Sequence, residues 1–399
     1  MKNLATLLLT VFTLQALTAQ VPAIEWQNTI GGTDWDDLSS MRPAPDGGYI
    51  LGGWSISNIS GDKSENCLGS ADYWVVKINS SGELEWENTI GGVKQDYLNS
   101  VNITPDGGYI LAGTSNSGIN GDKTEDKIGD DDYWVVKLNS AGIIEWQNTI
   151  GGTLNDKLFD IANAEGGGYV LAGYSESNIS GDKSENRFGK FDFWVVKIDD
   201  TGNIVWQKTI GGSNDDVLFS INACSDGGFI LAGHSNSQVS GNKTVPVRNG
   251  TSDVYVVKID SDGEIEWQNG YGSTSGDFMG GPHCAEQTDD GGFIIGAHSY
   301  GGATGEKSEP NYGSADYWIL KLTSAGALEW DKTLGGTDSD DESSVHQTLD
   351  GGYIVGGNSK SDLSGVKTVP NTGVGTYDSW LVKLSGTGTI EWQESIGGT

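Results

Sequence analysis

Cysteine, proline, histidine and positive charge are all scarce in this chain. Its 399 residues include 3 Cys, 8 Pro and 4 His, and 23 Lys and Arg stand against 55 Asp and Glu. Three cysteines cannot close a disulfide framework. The net charge of −32 disfavours nucleic acid and anionic lipid as partners, because both bind clustered basic side chains.

Long apolar runs are absent after the N-terminus, so the body of the chain contains no candidate transmembrane helix. Residues 1–19 have a different pattern, in which Lys2 precedes an apolar stretch and Ala19 follows Leu17 and Thr18. This pattern predicts a signal peptide over residues 1–19. We therefore expect a protein that is secreted or attached to the outer cell surface. We also expect it to be monomeric.

A repeat of about 60 residues fills the rest of the chain. Its most regular element contains a tryptophan, and successive tryptophans are separated by 60, 60, 60, 61, 63 and 62 residues. The seven tryptophans are Trp26, Trp86, Trp146, Trp206, Trp267, Trp330 and Trp392. Six intervals cover everything after the signal peptide, so the sequence predicts one domain over residues 20–399.

Each repeat contains four short apolar runs, a, b, c and d, which in the first repeat cover residues 38–44, 49–54, 72–78 and 84–90. The runs are rich in Val, Ile, Tyr and Trp and are separated by Gly, Asn, Asp and Ser, which is typical of strands and turns. The pattern predicts an all-β fold, a β-propeller of six or seven four-stranded antiparallel blades. A linear array of small β-domains is the alternative, but it would leave both faces of each sheet uncovered.

The hairpin between runs c and d can be given a register from the sequence. A three-residue turn with Gly82 at positive φ predicts that Ile78 lies opposite Leu84 and that Lys77 lies opposite Glu85. The second pair would be a cross-strand ion pair that recurs in most repeats.

Seven d runs accompany six copies of a, b and c, and the surplus d run is residues 24–30. Propellers often close when a strand from one terminus completes a blade begun by the other. We therefore hypothesise that the chain is truncated at its C-terminus and that a seventh a–b–c set follows. The alternative is a six-bladed ring with one d strand left over.

The combined pattern Trp-x-x-x-x-Gly-Gly, Asp-Gly-Gly-Tyr-Ile-Leu-Ala-Gly and Asp-Tyr-Trp-Val-Val-Lys, over residues 24–399, resembles the repeats of secreted Gram-negative surface proteins. Many of those proteins are exported by the type IX secretion system, so the resemblance implies a propeller on the cell surface. Residues 197–206 are also similar to the tryptophan-docking motif of quinoprotein propellers, in which the Trp wedges between blades. The adjacent Cys pair that quinone pockets of that family often contain is absent from the sequence.

An aspartate opens run c in every repeat. These residues are Asp72, Asp132, Asp192, Asp253, Asp316 and Asp378. Because the aspartate recurs in every repeat, we interpret it as a structural cap that accepts backbone N–H groups. The repeated tryptophans are interpreted as packing between blades.

The polar loop between runs b and c is longer than a simple connection between two strands requires, so it is a candidate binding feature. The residue that ends run b varies between repeats and includes Trp54, Tyr174, His234 and His298. We predict these four as ligand-face residues, with ordinary loop packing as the alternative.

No catalytic constellation, cofactor motif or zinc spacing is evident in the sequence. Asp130–Asp132 and the segment from Asp260 to Glu264 offer clustered oxygens that make calcium a minor hypothesis, although neither matches an EF-hand. The sequence therefore favours a secreted binding, adhesion or scaffold module for extracellular protein or carbohydrate. An extracellular hydrolase, lyase or quinoprotein-like enzyme is the alternative, and the irregular residues 276–290 are its first candidate site.

Overall fold

The computed structural model describes residues 21–248, 251–373 and 375–398. The predicted signal peptide lies outside the described residues. Within them the chain forms six antiparallel blades and no helix, so no helix in this part could span a membrane. The predicted all-β propeller is confirmed.

Blades 1 to 3 are regular four-stranded sheets. Blade 1 contains β1 (Asp36–Pro43), β2 (Tyr49–Ser55), β3 (Asp72–Ile78) and β4 (Leu84–Ile90). Blade 2 contains β5 (Asp96–Ile103), β6 (Tyr109–Ser115), β7 (Asp132–Leu138) and β8 (Ile144–Ile150). Blade 3 contains β9 (Asp156–Asn163), β10 (Tyr169–Ser175), β11 (Asp192–Ile198) and β12 (Ile204–Ile210).

Blades 4 and 6 repeat this order, whereas the first strand of blade 5 is interrupted. Blade 4 contains β13 (Asp216–Ala223), β14 (Phe229–Ser235), β15 (Asp253–Ile259) and β16 (Ile265–Tyr271). Blade 5 contains β17 (Asp277–Phe278), β18 (Ala285–Gln287), β19 (Phe293–Ser299), β20 (Asp316–Leu322) and β21 (Leu328–Leu334). Blade 6 contains β22 (Asp340–Gln347), β23 (Tyr353–Ser359), β24 (Asp378–Leu384) and β25 (Ile390–Ile396).

The four strands of each blade are called a to d in chain order. Strand a lies innermost, because strand a of one blade contacts strand a of the next around a central channel. The a–b and c–d turns lie at one end of the strands, which we call the turn face. The b–c loops and the d–a connections lie at the other end, which we call the loop face.

The core consists of apolar layers between neighbouring blades. Between blades 1 and 2, for example, Tyr73 and Val75 of strand c pack against Leu98 and Trp134 of the next blade. Four further clusters join blades 2 and 3, 3 and 4, 4 and 5, and 5 and 6. Each blade therefore depends on its neighbours for burial of its apolar faces.

The predicted register of the c–d hairpin is wrong beyond its first pair. Ile78 lies opposite Leu84 as expected, but Lys77 lies opposite Trp86, since a bulge leaves Glu85 without a cross-strand partner. The ion pair nevertheless forms, because Glu85 still reaches the Lys77 ammonium at 2.8 Å. The turn itself is as predicted, with Gly82 at φ +79°, a conformation that favours glycine.

Residues 24–30 do not form the expected strand, since they pair with no other strand in the described structure. They lie beside blade 1, where Trp26 packs edge-on against Tyr49 with ring centres 6.2 Å apart.

The long b–c loop has an internal packing role. Its lysine is buried beneath the aromatic residue of strand c, and in blade 3 the Lys183 ammonium lies 5.0 Å from the Trp194 ring centre. Glu185 of the same loop accepts a hydrogen bond from the Thr209 amide at 2.6 Å. Repetition of this loop is therefore explained by packing and does not by itself indicate binding.

Candidate functional site

All six blades contribute to the central channel, and its two ends differ. At the turn face it opens into a cavity of about 520 Å³, lined among others by Arg42, Asn102, His283, Glu286 and His346. At the loop face it is lined by aromatic side chains.

His283 enters the turn-face end from the interruption in blade 5. Residues 279–284 separate β17 from β18, and His283 has φ +62°, which is unusual for a residue other than glycine. This region lies within residues 276–290, the part of the sequence that departs most from the repeat. The departure delivers one imidazole into the channel.

Three side chains from blades 1 and 3 surround the His283 ring. Arg42 Nη2 lies 2.9 Å from Nδ1, Ser40 Oγ lies 3.1 Å from Nε2, and Asp160 Oδ1 lies 3.5 Å from Nδ1. Asp160 is fully buried and accepts hydrogen bonds from Ser100 Oγ at 2.9 Å and from the Ile221 amide at 3.1 Å.

These residues resemble a Ser–His–Asp triad in composition but not in hydrogen bonding. Arginine can only donate, and Arg42 Nη2 lies 2.9 Å from Nδ1 and 3.2 Å from Nε2, so the unprotonated nitrogen of the neutral ring has Arg42 as a donor in either tautomer. A catalytic triad needs Nδ1–H to donate to the aspartate and Nε2 to accept from the serine, whereas here a guanidinium lies within hydrogen-bonding distance of both ring nitrogens. The 3.5 Å separation from Asp160 is also too long for a good hydrogen bond.

The pKa of His283 indicates a neutral imidazole. Burial, reinforced by the Arg42 charge and opposed by Asp160, lowers it to about 4. The imidazole is therefore neutral near pH 7, which matches its role as an acceptor for Arg42. The arrangement fixes the blade 5 insertion and the Arg42 guanidinium inside the channel.

Arg42, Asp160 and Ser40 were not identified from the sequence. A signal existed, because Asp160 replaces the serine found at the same position as Ser40, Ser100 and Ser220. Departures from the repeat on strand a mark the channel wall, whereas the predicted residues lie at the end of strand b.

Aromatic rings form a continuous chain of contacts at the loop-face end. From Tyr174 in blade 3 to Tyr300 in blade 5, neighbouring ring centres lie 4.7–6.0 Å apart. We call this set the aromatic belt, and its members are Tyr174, Phe159, Phe219, His234, Phe278, His298 and Tyr300.

Three of the four predicted ligand-face residues, Tyr174, His234 and His298, belong to the aromatic belt. Burial lowers the pKa of His234 to about 4 and also lowers that of His298, and the Nδ1 atoms of both lack a protein hydrogen-bond partner. Strand a supplies Phe159, Phe219 and Phe278 of the belt, and these were not predicted.

Trp54, the fourth predicted residue, forms a separate stack. Its ring is nearly parallel to that of Trp35, with 5° between the planes and centres 6.4 Å apart, and its edge meets Tyr97 at 5.1 Å. Trp35 is 65% exposed, which is unusual for the largest apolar side chain.

The repeated aspartates and tryptophans lie away from both ends of the channel. The Asp132 carboxylate accepts hydrogen bonds from the amides of Ile128 and Gly129 at 2.6 and 3.1 Å, and Asp192 does the same with Phe188 and Gly189. Trp146 of strand d lies at the junction with the next blade, where its Nε1 donates to the Asp200 carbonyl at 3.1 Å.

The residues considered for calcium serve local contacts. Asp260 Oδ1 accepts the amides of Asp262 and Glu264 within its turn, and Asp131 lies 3.4 Å from the Lys157 ammonium. Among the described residues, no three His, Cys, Asp or Glu side chains converge as a metal site would require.

Comparison with known proteins gives distant similarities only, and no protein family model matches this chain. It is 21% identical to the regulatory protein FlaEY of Caulobacter vibrioides over 406 aligned positions, covering 94% of this chain and 41% of FlaEY. The chain therefore spans less than half the length of that relative.

Among solved structures, Kuenenia stuttgartiensis hydrazine synthase aligns with a TM-score of 0.49 and 12% identity, over 83% of this chain and 76% of that one. The WD40 domain of Neurospora crassa Pan2 aligns with a TM-score of 0.47 and 9% identity, over 91% and 79% of the two chains. At this level of similarity neither alignment indicates an activity.

Proposed function

We propose that this protein is an extracellular binding module, with adhesion or scaffolding as its biological role, and that neutral carbohydrate binds at the loop-face end of the channel. The observation that carries the proposal is the exposed aromatic surface of the loop face, where Tyr300 of the aromatic belt is 50% exposed and Trp35 of the separate stack is 65% exposed. Exposed rings offer flat apolar faces with fixed geometry, and such residues dominate binding surfaces.

Charge narrows the ligand class. The chain carries a net charge of −32, which repels anionic polymers. Carboxylates nearby, including Asp37 next to Trp54 across the strand pair and Asp341 near Tyr300, accept hydrogen bonds from hydroxyl groups. Neutral, hydroxyl-rich saccharides therefore suit this surface better than acidic glycans.

Retardation in native gels containing laminarin, xylan or mannan tests the proposal. We expect at least one of these neutral polysaccharides to slow the protein, and Trp35→Ala or Tyr300→Ala to weaken binding about tenfold, which corresponds to about 1.4 kcal/mol. Leu349→Ala is the matched control, since Leu349 is fully exposed beside the a–b turn of blade 6, at the opposite face.

Absence of retardation by all three polysaccharides, or equal retardation of the aromatic variants, would contradict carbohydrate binding at this surface. Capture of an extracellular protein that depends on Trp35 would instead support the protein-ligand alternative.

The extracellular location is part of the same proposal and rests on the pattern of residues 1–19. Expression of the full chain in a Gram-negative host should yield a mature protein that begins near Gln20. Retention of Met1 would contradict it.

The second candidate function is enzymatic, and the observation that favours it is the polar cluster around His283. The contacts of that cluster oppose nucleophilic catalysis, because Arg42 competes with Asp160 at Nδ1 and with Ser40 at Nε2. The binding function is therefore preferred.

A further inference from the structure

Within residues 21–248, 251–373 and 375–398, the ring of blades is not closed between blade 6 and blade 1. Five apolar clusters join successive blades, but the sixth contains only residues of blade 1 together with Ile30. We call the space between these two blades the open sector. Its walls are the face of blade 1 turned away from blade 2 and the face of blade 6 turned away from blade 5.

Side chains on the blade 1 wall are exposed where their counterparts are buried. Leu38 is 57% and Met41 is 50% exposed, whereas Leu98, Leu158 and Leu218 are all 0% exposed and Val101 is 0% exposed. In the other blades this wall is covered by strands b and c of the preceding blade. Blade 1 therefore presents an interblade surface without its usual cover.

The blade 6 wall also has a residue that is exposed although its counterparts in other blades are buried. Ile396 is 42% exposed, whereas the residues at its position in other blades, Ile90, Ile150 and Ile210, are at most 2% exposed. Both walls thus expose apolar side chains at positions that the other blades bury, and such exposed apolar surface is costly to leave in water.

Residues 24–30 occupy the place of an outer strand in the open sector. Trp26 contacts Tyr49 edge-on at 6.2 Å, as Trp86 contacts Tyr109 at 5.8 Å. Asn28 Nδ2 donates to the Gly82 carbonyl at 2.5 Å, as Asn88 donates to that of Gly142. The segment therefore makes the contacts that strand d of one blade makes with the next blade, although no strand pairs with it.

A cavity of about 320 Å³ lies between this segment and blade 1, lined among others by Ile30, Leu38, Leu51, Trp74 and Val76. In blade 1 itself, the residues that point forward from strands b and c are Ile50, Tyr73 and Val75, and they fill the equivalent space against blade 2. The cavity therefore corresponds to the space that apolar side chains of strands b and c of a preceding blade would fill.

We propose that a further a–b–c strand set of this same repeat fills the open sector, joined in the order in which every blade follows its predecessor, and pairs its third strand with residues 24–30. The result is a seventh blade whose outer strand comes from the N-terminal segment. Chain direction supports this occupant, because the d–a connection of each of blades 1 to 5 leads to the innermost strand of the next blade.

Hydrogen–deuterium exchange on two proteins tests the proposal. The first is the 399-residue chain. The second carries residues 93–138, the a–b–c set of blade 2 with its preceding connection, in place of Thr399. We expect amides of residues 24–30 to exchange at least about a hundredfold more slowly in the extended protein, approaching those of Leu84–Ile90, which are paired in both.

Ile30→Asp in the extended protein is the control, because a charge in the apolar layer should abolish the added protection while blades 1 to 6 remain protected. Equal exchange of residues 24–30 in both proteins would overturn the proposal. So would protection of residues 24–30 in the 399-residue chain together with dimerisation, since a second copy would then cover the open sector. Carbohydrate binding is measured separately at the loop face, so failure of either proposal is distinguishable from failure of the other.

Discussion

The ammonium of Lys183 lies 5.0 Å from the centre of the Trp194 ring and donates a hydrogen bond of 2.7 Å to Thr209 Oγ1. The lysine is only 2% exposed and comes from the long b–c loop, so one side chain connects the loop to strands c and d. The same pairing recurs in every blade, with Tyr255 in place of Trp in blade 4.

The burial of Lys183 predicts that the folded protein becomes more stable as the pH rises above about 8. Burial lowers the pKa of Lys183 to about 8, so between pH 8 and about 10.5 the unfolded chain binds more protons than the folded one and stability rises with pH. In urea unfolding, the stability of the wild type relative to Lys183→Met should rise by about 2 kcal/mol from pH 7.5 to 9.5. The exposed Lys94→Met should show no such difference, and a pH-independent effect of Lys183→Met would refute the assignment.

Asp156 predicts the opposite pH dependence. Burial raises its pKa to about 6, opposed by hydrogen bonds from Ser175, Gly152 and Ser177. The folded state then binds more protons between about pH 4 and 6, so this stability is present below pH 4 and lost as pH rises through 6. The wild type should gain about 2 kcal/mol relative to Asp156→Asn when the pH falls from 7 to 4.

Asp106 provides a control of opposite sign for that measurement. Hydrogen bonds from Thr104 and Lys137 lower its pKa to about 2, so its contribution is present above about pH 4 and lost as pH falls towards 2. If Asp106→Asn and Asp156→Asn change the pH profile in the same direction, the assigned environments are wrong.

The strand d tryptophans should differ according to whether another blade covers them. Trp146 packs at the junction with blade 3, where a Cβ on Gly202 would lie 3.2 Å from its ring, so Trp146→Ala should destabilise by about 2–3 kcal/mol in urea unfolding. Trp392 borders the open sector, and Trp392→Ala should cost clearly less. Equal costs would mean that blade contacts do not set the role of this tryptophan.

The His283 cluster predicts an absence of esterase activity. Hydrolysis of p-nitrophenyl acetate should be the same for the wild type, Ser40→Ala and His283→Ala, since Arg42 competes with Ser40 at Nε2 and with Asp160 at Nδ1 of His283. A rate above background that both variants abolish would establish the enzymatic alternative.

Repetition explains what the sequence could predict. The repeat predicted the blades, their strands and the turn at Gly82, because the same strand-forming runs and turn residues recur in each repeat. It failed at the bulge between Lys77 and Ile78, since turn geometry alone does not reveal an extra residue in a strand. The repeat also did not predict that Lys183 is buried, because burial of a loop lysine depends on packing against strands c and d.

The site depends on contacts that sequence spacing does not encode. His283 lies 243 residues from Ser40 along the chain, and only the arrangement of blades around the channel brings them together. Tyr174, His234 and His298 could be grouped because they share one position in the repeat, whereas Phe159 and Phe219 come from another strand and were missed.

The most direct test of the binding account is the ¹⁹F NMR spectrum of protein labelled with 5-fluorotryptophan, titrated with whichever of laminarin, xylan and mannan retards it most. The account predicts that the resonance of Trp35, assigned from its loss in Trp35→Phe, shifts together with that of Trp54, while buried Trp134 and Trp194 remain unchanged. Shifts confined to other tryptophans, or an unchanged Trp35 resonance at saturating polysaccharide, would contradict it.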